Sequence, residues 1–163
     1  MAYYITDGLI GGQALADTST TKNHPLGTIV RGVDPTLGAG EFIYLLGVAS
    51  TAVGSLVTFD PSTWQTALAP VGTNLPRPIA VAMSANVASQ YGWYQISGVA
   101  TVKKTSTVSL AASVAIAVKT IGLPASTGSG KEIEGALTAA AGASGVTSIL
   151  VAINRPRMQG RVT

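Results

Sequence analysis

Hydrophobic and polar positions alternate along this chain in short runs, and turn-forming residues separate the runs at fairly regular spacing. That is the pattern of an all-β protein. The runs are Gly27–Val33, closed by Asp34-Pro35; Glu41–Ala49; Ser55–Asp60; Trp64–Ala69; and Ile79–Met83, which follows the break at Pro76-Arg77-Pro78. The longest is Tyr91–Lys103 (YGWYQISGVATVK), with Trp93, Gln95, Ser97 and Val99 on one face and Tyr94, Ile96, Gly98 and Ala100 on the other. A glycine inside so long a strand, Gly98, predicts a bulge or bend. Val114–Lys119 and Glu132–Leu137 also alternate, and the second sends Glu132 and Glu134 to the same side. Val146–Ile153 is nearly continuous in apolar residues, as in a central strand covered on both faces, and Asn154-Arg155-Pro156 ends it. Ile79–Gln90 and Leu137–Ala143 are rich enough in alanine for a helical turn or two. Flanking glycines and β-branched residues argue against a long helix. The expected fold is one all-β domain, a β-sandwich or partly closed barrel of jelly-roll type.

The two ends depart from this pattern. Residues 1–26 have no sustained period and include the polar cluster Asp17–Asn23, so they read as an extended N-terminal arm before a β-domain at 27–154. Tyr3, Tyr4, Ile5, Leu9 and Ile10 are its apolar anchors, expected to dock on a partner chain and to order on binding. Residues 155–163 read as a basic tail. Arg155, Arg157 and Arg161 follow the last strand with no acid near them in sequence. Their planar forks suit an acidic patch on a partner.

Composition sharpens the class. Of 163 residues, 47% are hydrophobic and only 10% charged, against about 25% charged in ordinary soluble domains. Mean hydropathy of +0.41 excludes intrinsic disorder. The absence of cysteine and the single histidine exclude a disulfide framework, a thiolate zinc site and a multi-histidine metal centre within one chain. Net charge is +3, but it is uneven. Three bases face five acids through Val99, and seven bases face two acids from Ala100 onward. No dense basic stripe interleaved with aromatics appears, so nucleic acid is not an expected partner. The uncharged stretches Phe42–Phe59 and Gly135–Asn154 are long enough to span a bilayer, but glycine, serine and threonine interrupt them and alanine dominates. They read as buried β-structure, and no membrane association is expected. The N-terminus shows neither the basic start nor the apolar run of a secretory signal.

Candidate chemistry is sparse. Ala125-Ser-Thr-Gly-Ser-Gly-Lys131-Glu132 approaches a phosphate-binding loop. It has alanine where the first glycine belongs and glutamate where a magnesium-binding hydroxyl belongs, so it reads as a hairpin loop. His24 lies in the polar opening segment, and no Gly-x-Ser-x-Gly elbow accompanies any serine. Asp17, Asp34 and Asp60 sit in turns, where such side chains cap backbone amides. No pair of carboxylates has settings that would separate their pKa values. The expectation is a non-enzyme without a cofactor.

Three segments carry a resemblance: MAYYITDGLI…TKNHPLGTIVRGVDP, GAGEFIYLLGVASTAVGSLVTFD and VAMSANVASQYGWYQISGVATV. With the Gly92–Gly98 run (GWYQISG) and the later Ile133–Ala140 segment, the chain from Met1 to Met158 resembles a family of tailed-phage head proteins. These are related in pattern to capsid decoration (cement) proteins. The resemblance implies a virion structural protein that stabilises a phage capsid from its outer surface. Its partners would be the major capsid protein and its own copies, as a trimer or alternatively a dimer. The charge-poor composition agrees, since closed symmetric interfaces bury such surface. The alternative is a carbohydrate- or host-surface-binding module of a phage head or fibre, with Tyr91, Trp93 and Tyr94 as its aromatic platform.

Overall fold

A computed structural model describes residues 4–5, 13–72, 75–127 and 131–159. These residues contain no helix and form β1 (Tyr4–Ile5), β2 (Thr18–Ser19), β3 (Ile29–Asp34), β4 (Gly38–Leu46), β5 (Leu56–Phe59), β6 (Thr66–Leu68), β7 (Ile79–Ala82), β8 (Tyr91–Lys103), β9 (Ala115–Thr120), β10 (Leu123–Ser126), β11 (Glu132–Thr138) and β12 (Ser148–Met158). The alanine-rich stretches offered for helical turns begin as strand, Ile79–Ala82 being β7 and Leu137 and Thr138 ending β11, and continue as turns and loop. The all-β expectation holds. The main sheet runs β1-β3-β4-β8-β12-β11-β9-β10 and is not closed into a barrel.

The long strand β8 organises everything else. One edge pairs with β4 over Tyr91–Ser97. The other edge takes β2, then β7 at Tyr94 and Gln95, then β12 from Ser97 to Lys103. Two sheets therefore diverge from one strand: β7-β5-β6, and β12-β11-β9-β10. Gly98 lies where they part. Its φ is +98°, and a Cβ there would stand 2.4 Å from the Ala39 carbonyl oxygen, so only glycine fits. Its register partner is Ile153 of β12. Just beyond lie Arg155 (φ +44°) and, in β11, Gly135 (φ +76°), where the β11–β12 register slips. The irregularities align across three strands and crease the sheet.

The crease lets the diverging layers enclose separate apolar clusters. Leu56, Ile79 and Val81 meet Val102, Ile116, Ile133, Val151 and Ile153 in the largest one. The opposite faces of the same short strands, Val57, Ala80 and Ala82, meet Ile43, Leu45, Tyr94 and Ile96. A third cluster, Leu15, Val30, Phe42, Tyr44 and Trp93, lies on the far side of β4 and β8. The strand covered on both faces is thus β7, whose four residues are all buried. In β12, Ile149, Val151 and Ile153 point inward while Leu150 and Ala152 are partly exposed. The expectation of double coverage for Val146–Ile153 is corrected accordingly.

Three further expectations are corrected. Residues 13–26 are not an arm. Leu15 is buried in the third cluster and Leu26 packs against it. The Gln13 side chain accepts a hydrogen bond from the Tyr44 hydroxyl (2.6 Å) and donates to the Tyr91 carbonyl (2.8 Å), while Trp93 Nε1 donates to the Gln13 carbonyl (3.1 Å). The segment covers aromatic surface that would otherwise face water. Residues 155–158 are not a tail, because β12 continues to Met158, and Pro156 and Met158 are buried. The Ala125–Glu132 loop does not close a hairpin, since β10 and β11 both pair with β9 and not with each other. Two of the three turn aspartates, Asp34 and Asp60, cap backbone amides as read. Asp34 Oδ1 accepts from the amides of Thr36 and Leu37, and Asp60 Oδ1 from those of Ser62 and Thr63. The Ser62 hydroxyl and the two amides hold the Asp60 carboxyl below its ordinary range.

Candidate functional site

Strand register builds one extended outer face. Arg31 of β3 pairs with Glu41 of β4, Glu41 with Ser97 of β8, and Ser97 with Asn154 of β12. Register partners share a face of a sheet. The next row runs Val99, Ala152, Leu137 and Ala115 across β8, β12, β11 and β9, and Thr101 pairs with Leu150 beyond it. At the other end Tyr4 of β1 lies opposite Val33, and Val33 opposite Ala39. Leu137 is 46% exposed and Tyr4 62%. The middle rows, from Val99 to Ala115 and from Thr101 to Leu150, contain no charged residue.

The charges sit at the border. Arg155 reaches across β8 to Glu41, with Nη2 and Nε donating to Oε2 at 3.1 and 3.3 Å, and Arg31 Nε lies 3.8 Å from the other oxygen. Both arginine side chains are mostly exposed, so Glu41 sits between two cations in a shallow depression floored by Gly40, Ser97 and Asn154. Arg157 donates to its register partner Glu134 at 2.6 Å. An uncharged centre with a charged border is the layout of protein–protein interfaces.

Of the residues selected from sequence, Tyr4 and Arg155 come to this face. Ile5 is partly buried and packs inward against the third cluster. Arg157 is on the same strand as Arg155 but is held by Glu134. The expectation that no acid lies near these arginines is therefore corrected for both: Glu41 and Glu134 are distant in sequence and are brought over by the sheet. Tyr3, Leu9, Ile10 and Arg161 lie outside the described residues. Sequence reasoning missed Val99, Leu137, Leu150 and Ala152. The signal was present as alternation within β11 and β12, obscured because both faces of β12 are apolar.

The aromatic platform of the carbohydrate reading does not form. Trp93 and Tyr94 are fully buried on opposite sides of β8, and Tyr91 stacks beside Tyr44. His24 packs its ring against Tyr44 and Trp93, at centroid distances of 5.1 and 5.2 Å, as part of the covering segment. Among the described residues no group of three or more His, Asp or Glu side chains is placed to hold a metal ion. No family model matches the chain, and no curated protein matches it.

Proposed function

We propose that this chain is a virion structural protein that decorates a phage capsid, binding the outer surface of the major capsid protein shell. The observation that carries the reading is the uncharged centre of the outer sheet face, Val99, Leu137, Leu150 and Ala152, bordered by the Arg31–Glu41–Arg155 group. Rigid strand residues lose little conformational entropy on docking, and the arginine border steers and registers the encounter. The resemblance of the chain to phage head proteins supplies the identity of the surface it meets. Self-association as a trimer, or alternatively a dimer, belongs to the same reading. Light scattering of the purified chain at micromolar concentration tests that part.

Co-sedimentation with undecorated capsids tests the whole. Leu137→Asp places a carboxylate at the centre of the face, where the native side chain is already half in water, so the fold is kept. The expected result is loss of capsid binding with unchanged thermal unfolding. Binding equal to that of the native chain would overturn the reading.

A further inference from the structure

In a chain with so few charges, Lys104 is almost completely buried, with 2% of its surface exposed. It stands just past the end of β8. Its ammonium is surrounded by four backbone carbonyl oxygens: Val108 at 2.7 Å, Val146 at 2.8 Å, Ala143 at 3.0 Å and Thr105 at 3.4 Å. Three N–H donors meet four acceptors, so one bond is shared. An isolated buried charge is costly unless its environment supplies compensating hydrogen bonds. Here they come wholly from peptide dipoles on two separate loops, 104–110 and 142–147. Arginine would not substitute, because its planar fork cannot reproduce a compact ammonium among converging carbonyls.

We propose that the carbonyls of Thr105, Val108, Ala143 and Val146 form a binding cage for a primary ammonium group, that Lys104 is its resident occupant, and that occupancy holds the two loops in one conformation. The loops already touch elsewhere. Leu110 and Gly142 exchange both backbone hydrogen bonds, at 3.0 and 2.8 Å, Gly145 N donates to Ser106 O, and Lys104 N donates to Thr147 O. Those bonds align the loops. The ammonium satisfies carbonyls that the loop geometry turns inward, and of these the Thr105 carbonyl also accepts from Val108 N at 3.1 Å. Without a cation the same oxygens would point at one another in a dry interior, and the loops would open to hydrate them. Thr105–Val114 and Ala139–Thr147 contain no charged side chain, so neither loop supplies a replacement. This inference does not depend on capsid binding.

Native-state hydrogen exchange of the full chain reads the loops directly. Lys104→Met keeps the aliphatic stem and removes the ammonium. The expected result is exchange at least about tenfold faster at Leu110, Gly142 and Gly145, with unchanged protection in β4 and the first half of β8. Lys104→Ala removes the atoms of an n-propylammonium ion. Adding that ion should restore loop protection and raise the melting temperature of this variant, with no effect on the native chain or on Lys104→Met. Tetramethylammonium, which has the charge but no N–H donor, should do nothing. Should Lys104→Ala not fold unaided, refolding with n-propylammonium but not with tetramethylammonium supports the cage, and failure with both overturns it. Unchanged loop exchange in Lys104→Met, or equal effects of the two ions, also overturns it.

Discussion

Arg155 and Glu41 are 114 positions apart in sequence and lie on strands separated by β8, yet the guanidinium donates from two nitrogens to one carboxylate oxygen. Arg155 reaches that position from a backbone with φ of +44°, a conformation that costs a non-glycine residue about 1–2 kcal/mol. An exposed ion pair contributes less than about 1 kcal/mol. The pair therefore does not repay its backbone strain in stability; what it fixes is the position of the guanidinium.

Arg155→Gly and Arg155→Ala separate these effects. Both lose the ion pair, but only glycine relieves the positive φ. In urea denaturation Arg155→Gly should be more stable than Arg155→Ala by about 1 kcal/mol. Both should bind capsids more weakly and with less dependence on salt than the native chain. Equal stability of the two variants would show that the backbone relaxes there.

Gly98→Ala should be among the most damaging single changes available. A methyl group at that position meets the Ala39 carbonyl within 2.4 Å and needs an unfavourable φ. Because the obstacle is backbone, β4 and β8 must move apart. The expected loss is more than about 4 kcal/mol, or failure to accumulate as soluble protein, a magnitude reserved for disrupted cores and strained backbones.

The segment before Pro25 should be needed for folding. Leu15→Ala empties a buried site in the third cluster and should cost about 2–5 kcal/mol in urea denaturation. Removing residues 1–24 uncovers Trp93 and Tyr44 and leaves the Tyr44 hydroxyl without Gln13. The truncated chain should show tryptophan emission shifted to the red and early unfolding. Native emission and stability would show that the covering segment is dispensable.

Stability should fall in alkali. Burial raises the pKa of the Tyr94 hydroxyl above its ordinary value of 10.0, and hydrogen bonds with Thr66 and Asn86 offset this only in part. Burial likewise raises that of Tyr44. Between the unfolded and the raised folded pKa, the folded chain binds more protons than the unfolded one, so stability decreases as pH rises. The contribution is complete below pH 10 and is lost as pH climbs through the folded pKa. Melting temperatures between about pH 8 and 11 should decline above 10, and Tyr94→Phe should flatten part of the decline.

Much of the fold was legible because strands with one wet face declare themselves. Tyr91–Lys103 has the bounds read from its alternation, and Gly98 marks the bend it predicted. β1 and β2 have two residues each, too short for any period, and β10 carries Pro124, which argues against a strand. The end of β12 was hidden by Pro156, a residue that normally stops a strand but here occupies an irregular stretch beside Gly135. Of the outer face, Tyr4 and Arg155 were found by chemistry, whereas Leu137 and Leu150 resembled core. Lys104 follows Lys103 directly in sequence, and nothing local shows that residues near 143 would close over it.

Four consecutive residues, Ile79 to Ala82, serve two interiors at once. A cavity opened on one side of β7 can be relieved only by shifting a strand that is also packed on the other. Damage on one side of β7 is therefore passed to the other. Heating should produce one calorimetric transition in which tryptophan emission, tyrosine exposure and loss of strand signal coincide. Such a construction leaves few partly open states for a protease to enter.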